Sequence, residues 1–202
     1  IIRKKISLLK KKLKSIDSER QVQSKKRKSF FRTSFVGYTN VGKSSLMKSV
    51  TKSDVLIRNQ LFATLDTTVR RLFIGNNNYV LLSDTVGFIR NLPDNLIASF
   101  KSTLQEVVDS DLLLIVLDAN SKDLFNEIET IKSVLQEINA NEIDYKYVFN
   151  KIDLVDADKL SYLKQSFPDS LMVSATRSLQ VSDIKDTISE KYEKWISALK
   201  NP

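Results

Sequence analysis

The sequence predicts an α/β fold: a mostly parallel sheet with helices on both faces, preceded by a long basic helix. Three observations predict it. From Thr33 onward, short apolar runs alternate with segments of helical period, the pattern that builds parallel sheets. Two of those runs are separated only by Gly75-Asn76-Asn77-Asn78, a turn-forming cluster that suits an antiparallel hairpin. Each polar motif falls where a strand is predicted to end, the edge at which open sheets collect ligands.

Residues 1–32 stand apart from the rest. They carry 13 Lys/Arg against 2 acids, a net of +11, while residues 33–202 carry a net of −3. Such asymmetry suggests an anionic partner for the arm; a solvated helix face is the simpler alternative. Within it Ile2, Ile6, Leu9, Leu13 and Ile16 are spaced 4-3-4-3. That spacing predicts a helix from residue 1 to about 27 with one apolar seam, half of a helical hairpin or coiled coil. The chain starts at Ile and not Met, which with the unpartnered seam leads to the expectation of a longer parent protein.

The domain 33–202 is expected to run in order through a strand at TSFVG, a helix at KSSLMKSVT and an irregular stretch from Asp54 to Val69. The hairpin strands VRRLFIG and YVLLS follow, then a helix near Asn95–Asp109 and the buried strand DLLLIVLD. A helix near Leu124–Asn139, the strand YKYVFN, a helix near Asp156–Ser166, the strand SLMVS and a helix near Val181–Leu199 complete it.

Composition narrows the chemistry. There is no Cys and no His, so thiolate nucleophiles, imidazole bases and Cys/His metal sites are excluded. The longest aliphatic run, Leu112 to Leu117, is far short of the roughly 20 residues of a membrane span. Lack of a targeting segment and of Cys favours the cytoplasm.

GYTNVGKS, Gly37 to Ser44, fits G-x-x-x-x-G-K-[ST] between a predicted strand and helix. The backbone amides of Gly37, Tyr38, Thr39, Asn40, Val41, Gly42, Lys43, Ser44 and Ser45 can surround phosphates at a helix N-terminus. Lys43 reaches the β and γ phosphates, and the Ser44 hydroxyl suits Mg²⁺. Asp84 to Gly87 follows about forty residues later, again at a strand end: the Asp84 carboxylate suits Mg²⁺ and the Gly87 amide a γ-phosphate. NKID, Asn150 to Asp153, ends a third strand. Asp153 can accept from guanine N1–H and N2–H₂, a donor pair that adenine lacks. Asn150 braces the loop, and the Lys151 stem lies along the ring. Ser174, Ala175 and Thr176 end the last strand and offer amides to guanine O6. Between the first two motifs LFATLDTTVRR holds two candidate switch threonines, Thr67 and Thr68, either able to close on Mg²⁺ and the γ-phosphate of GTP.

GYTNVGKS, LFATLDTTVRRL, DTVGFIRNLP and NKID, in this order and spacing, closely resemble the HflX family of GTPases. The match covers residues 33–202, and the basic helix is similar to the family's linker helix. The resemblance implies a Ras-like P-loop GTPase fold, with Thr68 as the switch threonine and Lys43, Thr68 and Gly87 as the catalytic groups. It implies Mg²⁺ held by Ser44, Thr68 and Asp84, and slow turnover of GTP to GDP and phosphate. It also implies a large ribosomal subunit as partner, reached through the basic helix and an absent N-terminal domain, and a role as ribosome-associated switch or splitting factor. One departure is visible: SATRSLQ lacks the glycines with which the family's last motif continues.

Phe88 follows Gly87, where a glutamine would orient the attacking water; phenylalanine cannot. Turnover is then expected to be weak until a partner orders the switch loops. A second expectation gives Asn40 a role in holding K⁺; a loop-bracing hydrogen bond is its alternative. Two other classes compete with a partner-stimulated enzyme. One is a binding module whose surface depends on GTP occupancy, with incidental hydrolysis. The other is an RNA-binding fragment with a vestigial site, which the intact Lys43, Ser44, Asp84 and Asp153 argue against.

Overall fold

The computed structural model describes residues 30–51, 68–85, 87 and 104–200. The chain divides into two units, residues 1–30 and 31–202; the expected basic helix, Thr67 and Phe88 lie outside the described residues.

The second unit is built on a six-stranded sheet: β1 (Arg32–Val36), β2 (Thr68–Gly75), β3 (Asn78–Asp84), β4 (Leu112–Asp118), β5 (Tyr145–Asn150) and β6 (Leu171–Met172). Its helices are α1 (Lys43–Thr51), α2 (Leu124–Glu137), α3 (Ala157–Ser166) and α4 (Ser182–Lys200), with a helical segment at 104–108. The strand order is β2-β3-β1-β4-β5-β6, parallel throughout except for the β2–β3 hairpin. Strands joined by helical crossovers pair in parallel, while the short Asn76-Asn77 turn forces β3 back along β2. Both asparagines sit at positive φ, 49° and 58°, as a tight hairpin turn requires.

β4 lies between β1 and β5, and every residue from Leu112 to Leu117 is buried, the expected outcome for a continuous aliphatic run in a covered parallel sheet. Helices flank both faces. On one, Ser34 hydrogen-bonds Ser110 at 2.7 Å and the Glu106 carbonyl at 3.3 Å, tying β1 to the 104–108 segment. On the β2–β3 side α1 and α4 pack on the sheet and on each other. Ile184 and Ile188, one helical turn apart on α4, are fully buried. Phe31 is clamped edge-on by Tyr192 and Trp195 of α4.

Three expectations need correction. The irregular stretch does not reach Val69: β2 already begins at Thr68, whose β-branched side chain and that of Val69 suit the pairing with Asp84 and Ser83. The last strand is only Leu171–Met172, because Ser174 instead pairs with Leu179 across a tight loop. α2 stops at Glu137, since Asn139 takes a positive φ of 58°.

Candidate functional site: a phosphate and guanine cradle

The loop 37–42 leaves β1 at its carboxyl end and runs into α1, whose first residue is Lys43. The Gly42 carbonyl accepts the Leu46 amide at 2.9 Å, starting the helix inside the motif. The amides at this N-terminus therefore point into the loop and favour an anion. Lys43 is 6% exposed and donates to the carbonyls of Gly37 (3.0 Å) and Tyr38 (2.8 Å), which hold its ammonium across the loop mouth. Burial pushes that ammonium down to about 8, and the nearby Asp84 carboxylate partly opposes the shift.

Ser44, in the first turn of α1, donates from Oγ to Asp84 Oδ2 at 2.6 Å. Asp84 ends β3, the parallel neighbour of β1, and is buried. Residues 40 apart in sequence thus meet because adjacent parallel strands end at the same edge. A hydroxyl and a carboxylate oxygen side by side are hard oxygen donors that fit Mg²⁺, which binds through one or two carboxylates plus substrate phosphates. Thr68 stands at the start of β2 in register with Asp84. It is therefore near this pair but within a strand, where a loop position was expected.

Gly87 lies against the phosphate loop. A Cβ there would meet Thr39 N, Cα and Cγ2 at 2.8 Å, so no larger residue fits without displacing the loop. Asn40 is exposed and has φ of 63°, a conformation that Asn tolerates better than most residues. Ser45 is half-buried in the first turn of α1.

The third motif does more than brace. Asn150 is 2% exposed at the end of β5. Its Nδ2 donates to the Val41 carbonyl at 2.8 Å, and its Oδ1 accepts the Ala175 amide at 3.0 Å. One side chain therefore fastens the phosphate loop to the loop after β6. The Ala175 amide, expected to meet guanine O6, here is given to Asn150. Ser174 is buried, with Oγ accepting the Arg177 amide at 3.1 Å, and Thr176 is exposed. In SATRSLQ, which has no glycine, Ser178 and Gln180 take the left-handed region, at φ of 54° and 51°. Lys151 also has positive φ, 64°, and turns the chain into the short 3₁₀ helix Ile152–Leu154, on which Asp153 is exposed.

Sequence reasoning missed Asp118. It ends β4, and its Oδ2 receives Lys151 Nζ at 2.7 Å, so the lysine stem is held at both ends. The available signal was an aspartate closing the strand next to β5.

The described residues thus gather the phosphate motif, Asp84, Gly87, Asn150, Asp118 and Lys151 along one sheet edge. The family model described as "50S ribosome-binding GTPase" matches residues 32–151, more than half of the chain. The chain belongs to this family. Its resemblance to HflX is borne out too. A GTPase HflX of Flavobacterium psychrophilum is 50% identical over 79% of this chain and 40% of its own length. One of Gluconacetobacter diazotrophicus is 41% identical over 95% of this chain and 43% of its own. The chain therefore spans about two-fifths of the length of these curated relatives. Among solved structures, a GTP-binding protein of Sulfolobus solfataricus in complex with GDP is similar at a TM-score of 0.65. It is 26% identical over 96% of this chain and 62% of the other. The Ras-like P-loop GTPase fold is thereby established, and no helix among the described residues is long and apolar enough to cross a membrane.

Proposed function

We propose that this chain binds GTP with Mg²⁺, hydrolyses it slowly, and serves as a cytoplasmic ribosome-associated switch whose turnover rises on the large ribosomal subunit. The observation that carries the reading is the convergence of Lys43, Ser44, Asp84 and Gly87 around one loop, with Asn150 joining that loop to the guanine-side motifs.

In this reading Lys43 leaves the Gly37 and Tyr38 carbonyls for the β and γ phosphates, exchanging neutral partners for anionic oxygens. Ser44, Asp84 and Thr68 hold Mg²⁺, which supplies charge neutralisation when bound. The Gly87 amide donates to the γ-phosphate, and Asp153 reads the guanine edge. Ala175 releases Asn150 or shares its amide with O6. Phosphoryl transfer depends chiefly on positioning and charge stabilisation, so slow turnover survives a phenylalanine at position 88. The subunit supplies what Phe88 does not, by ordering the loops around the attacking water. The basic residues 1–32 add attraction to RNA phosphates.

The test is GTP turnover in K⁺ buffer with and without purified large subunits. A rise well above the summed backgrounds, lost in Lys43→Ala, is the expected result. Tight GTP binding with no rise favours the second reading, a module that reports occupancy, supported by the intact binding motifs alongside Phe88. Subunit release that is equal with GTP and a non-hydrolysable analogue would establish that second reading.

A further inference from the structure

The unit 31–202 has an acidic balance, yet one exposed element of it is wholly basic. The β2–β3 hairpin carries Arg70 and Arg71 and no acid before Asp84, which is itself buried at the far end. Both arginines are exposed, on the edge strand of the sheet.

The arrangement around them is specific. Residues 71 and 73 share one face of β2, and Phe73 stands opposite Tyr79 in the antiparallel register. Phe73 is 55% exposed, although its size and β propensity suit a covered face. The Arg71 guanidinium lies 4.7 Å over the Tyr79 ring, a cation–π contact that holds it on the face shared with Phe73. Phe73 and the Arg71–Tyr79 pair thus lie together on one face of the hairpin. Arg70 projects from the opposite face of the same edge. The tip beyond it is Asn76-Asn77, polar and tightly turned.

We infer that the exposed β2 edge of this hairpin is an RNA contact, taking an unstacked base on Phe73 and its flanking phosphates on Arg71 beside it and on Arg70 across the edge. Charge complementarity selects the occupant: two exposed guanidinium groups, neither ion-paired with a carboxylate among the described residues, match a polyanion, and the exposed Phe73 ring matches a base splayed from a loop. An edge strand could also pair with a second copy of this chain. Two adjacent arginines in mid-strand oppose that, because antiparallel self-pairing centred on either sets that arginine against its own copy, and like charges directly opposite destabilise a ladder.

The inference deepens the ribosome-binding reading and rests on it. The test measures binding of the 202-residue chain, loaded with a non-hydrolysable GTP analogue, to purified large ribosomal subunits across a salt series. Phe73→Ala is expected to weaken binding about thirtyfold, the middle of the range for losing one stacked base. Arg70→Ala with Arg71→Ala is expected to lower the salt slope by about 1.5, the value for two phosphate contacts. Nucleotide affinity, unchanged in both variants, reports that they fold. Phe125→Ala, equally exposed at 55% but on α2, is expected to bind as the parent does. A parent that binds subunits while both hairpin variants match it overturns this inference alone. A parent that fails to bind subunits overturns the functional reading and the inference together. Self-association of the parent that either hairpin variant abolishes would instead make the edge a protein interface, and the RNA assignment falls.

Discussion

Asn150 and Gly42 are in near-contact: a Cβ at Gly42 would come within 2.2 Å of Asn150 Nδ2. Gly42 also has φ of 99°, outside the range that L side chains adopt comfortably. The phosphate loop can therefore close over β5 only because the loop has no side chain there and the strand ends in a short amide.

This pairing predicts that Gly42→Ala costs more than backbone strain. The strain alone is worth about 1–2 kcal/mol, and the collision pushes Asn150 off the Val41 carbonyl and the Ala175 amide. Asn150→Ala avoids the collision but strips partners from two buried backbone groups, at about 1–3 kcal/mol each. Both variants are expected to melt lower and to bind GTP and GDP more weakly. Thermal unfolding with and without nucleotide checks this, and a Gly42→Ala protein with parental Tm and affinity would refute it.

Lys43 predicts a trade between function and stability. Its ammonium is 6% exposed, and burial disfavours its charged form. Lys43→Met keeps the apolar stem and removes the charge. GTP affinity is expected to fall at least a hundredfold, while the nucleotide-free protein melts no lower than the parent. Calorimetry on both forms separates the two effects. A large drop in the nucleotide-free Tm would mean that the hydrogen bonds to Gly37 and Tyr38 outweigh the cost of the buried charge.

Much of this arrangement was legible in the sequence, because strand ends and motifs coincide. The run Leu112–Leu117 announced a buried strand, and Gly75–Asn78 announced the hairpin, each through local chemistry that the fold does not override. What was hidden involves partners distant in sequence. The double attachment of Asn150 joins Val41 and Ala175, and the hold of Asp118 on Lys151 depends on β4 and β5 ending level. Thr68 was misplaced into a loop because its strand character arises from pairing with Asp84, not from a local pattern. Ser178 and Gln180 carry left-handed conformations that composition would assign to glycine.

Asn40 offers a clean separation of backbone from side chain. At φ of 63° and exposed, it adopts a conformation that glycine takes at no cost. Asn40→Gly therefore keeps the loop and deletes the amide. If that amide helps hold K⁺, turnover in the variant becomes equal in Na⁺ and K⁺ buffers, while the parent is several times faster in K⁺. A parent that is itself indifferent to the cation rules out the K⁺ role and leaves Asn40 a purely conformational choice.

Asp153 supplies the sharpest test of base recognition. It is exposed on the 3₁₀ turn that the positive φ of Lys151 directs away from β5, so its carboxylate is accessible to a ligand edge. A carboxylate accepts two hydrogen bonds and donates none, which matches the N1–H and N2–H₂ of guanine. An amide at the same place has one acceptor and one donor. Xanthine replaces the exocyclic amine with a carbonyl and so presents a donor beside an acceptor. Asp153→Asn is therefore expected to lose GTP affinity by about a hundredfold or more, as sites with mismatched polar groups do, and to gain affinity for xanthosine triphosphate. Because the side chain is exposed, the Tm of the nucleotide-free protein should stay within about 2 °C of the parent, in line with surface substitutions of about ±0.5 kcal/mol. Competition binding of GTP, ATP and xanthosine triphosphate to both proteins decides the matter. Retained GTP preference in Asp153→Asn would place guanine recognition on other residues.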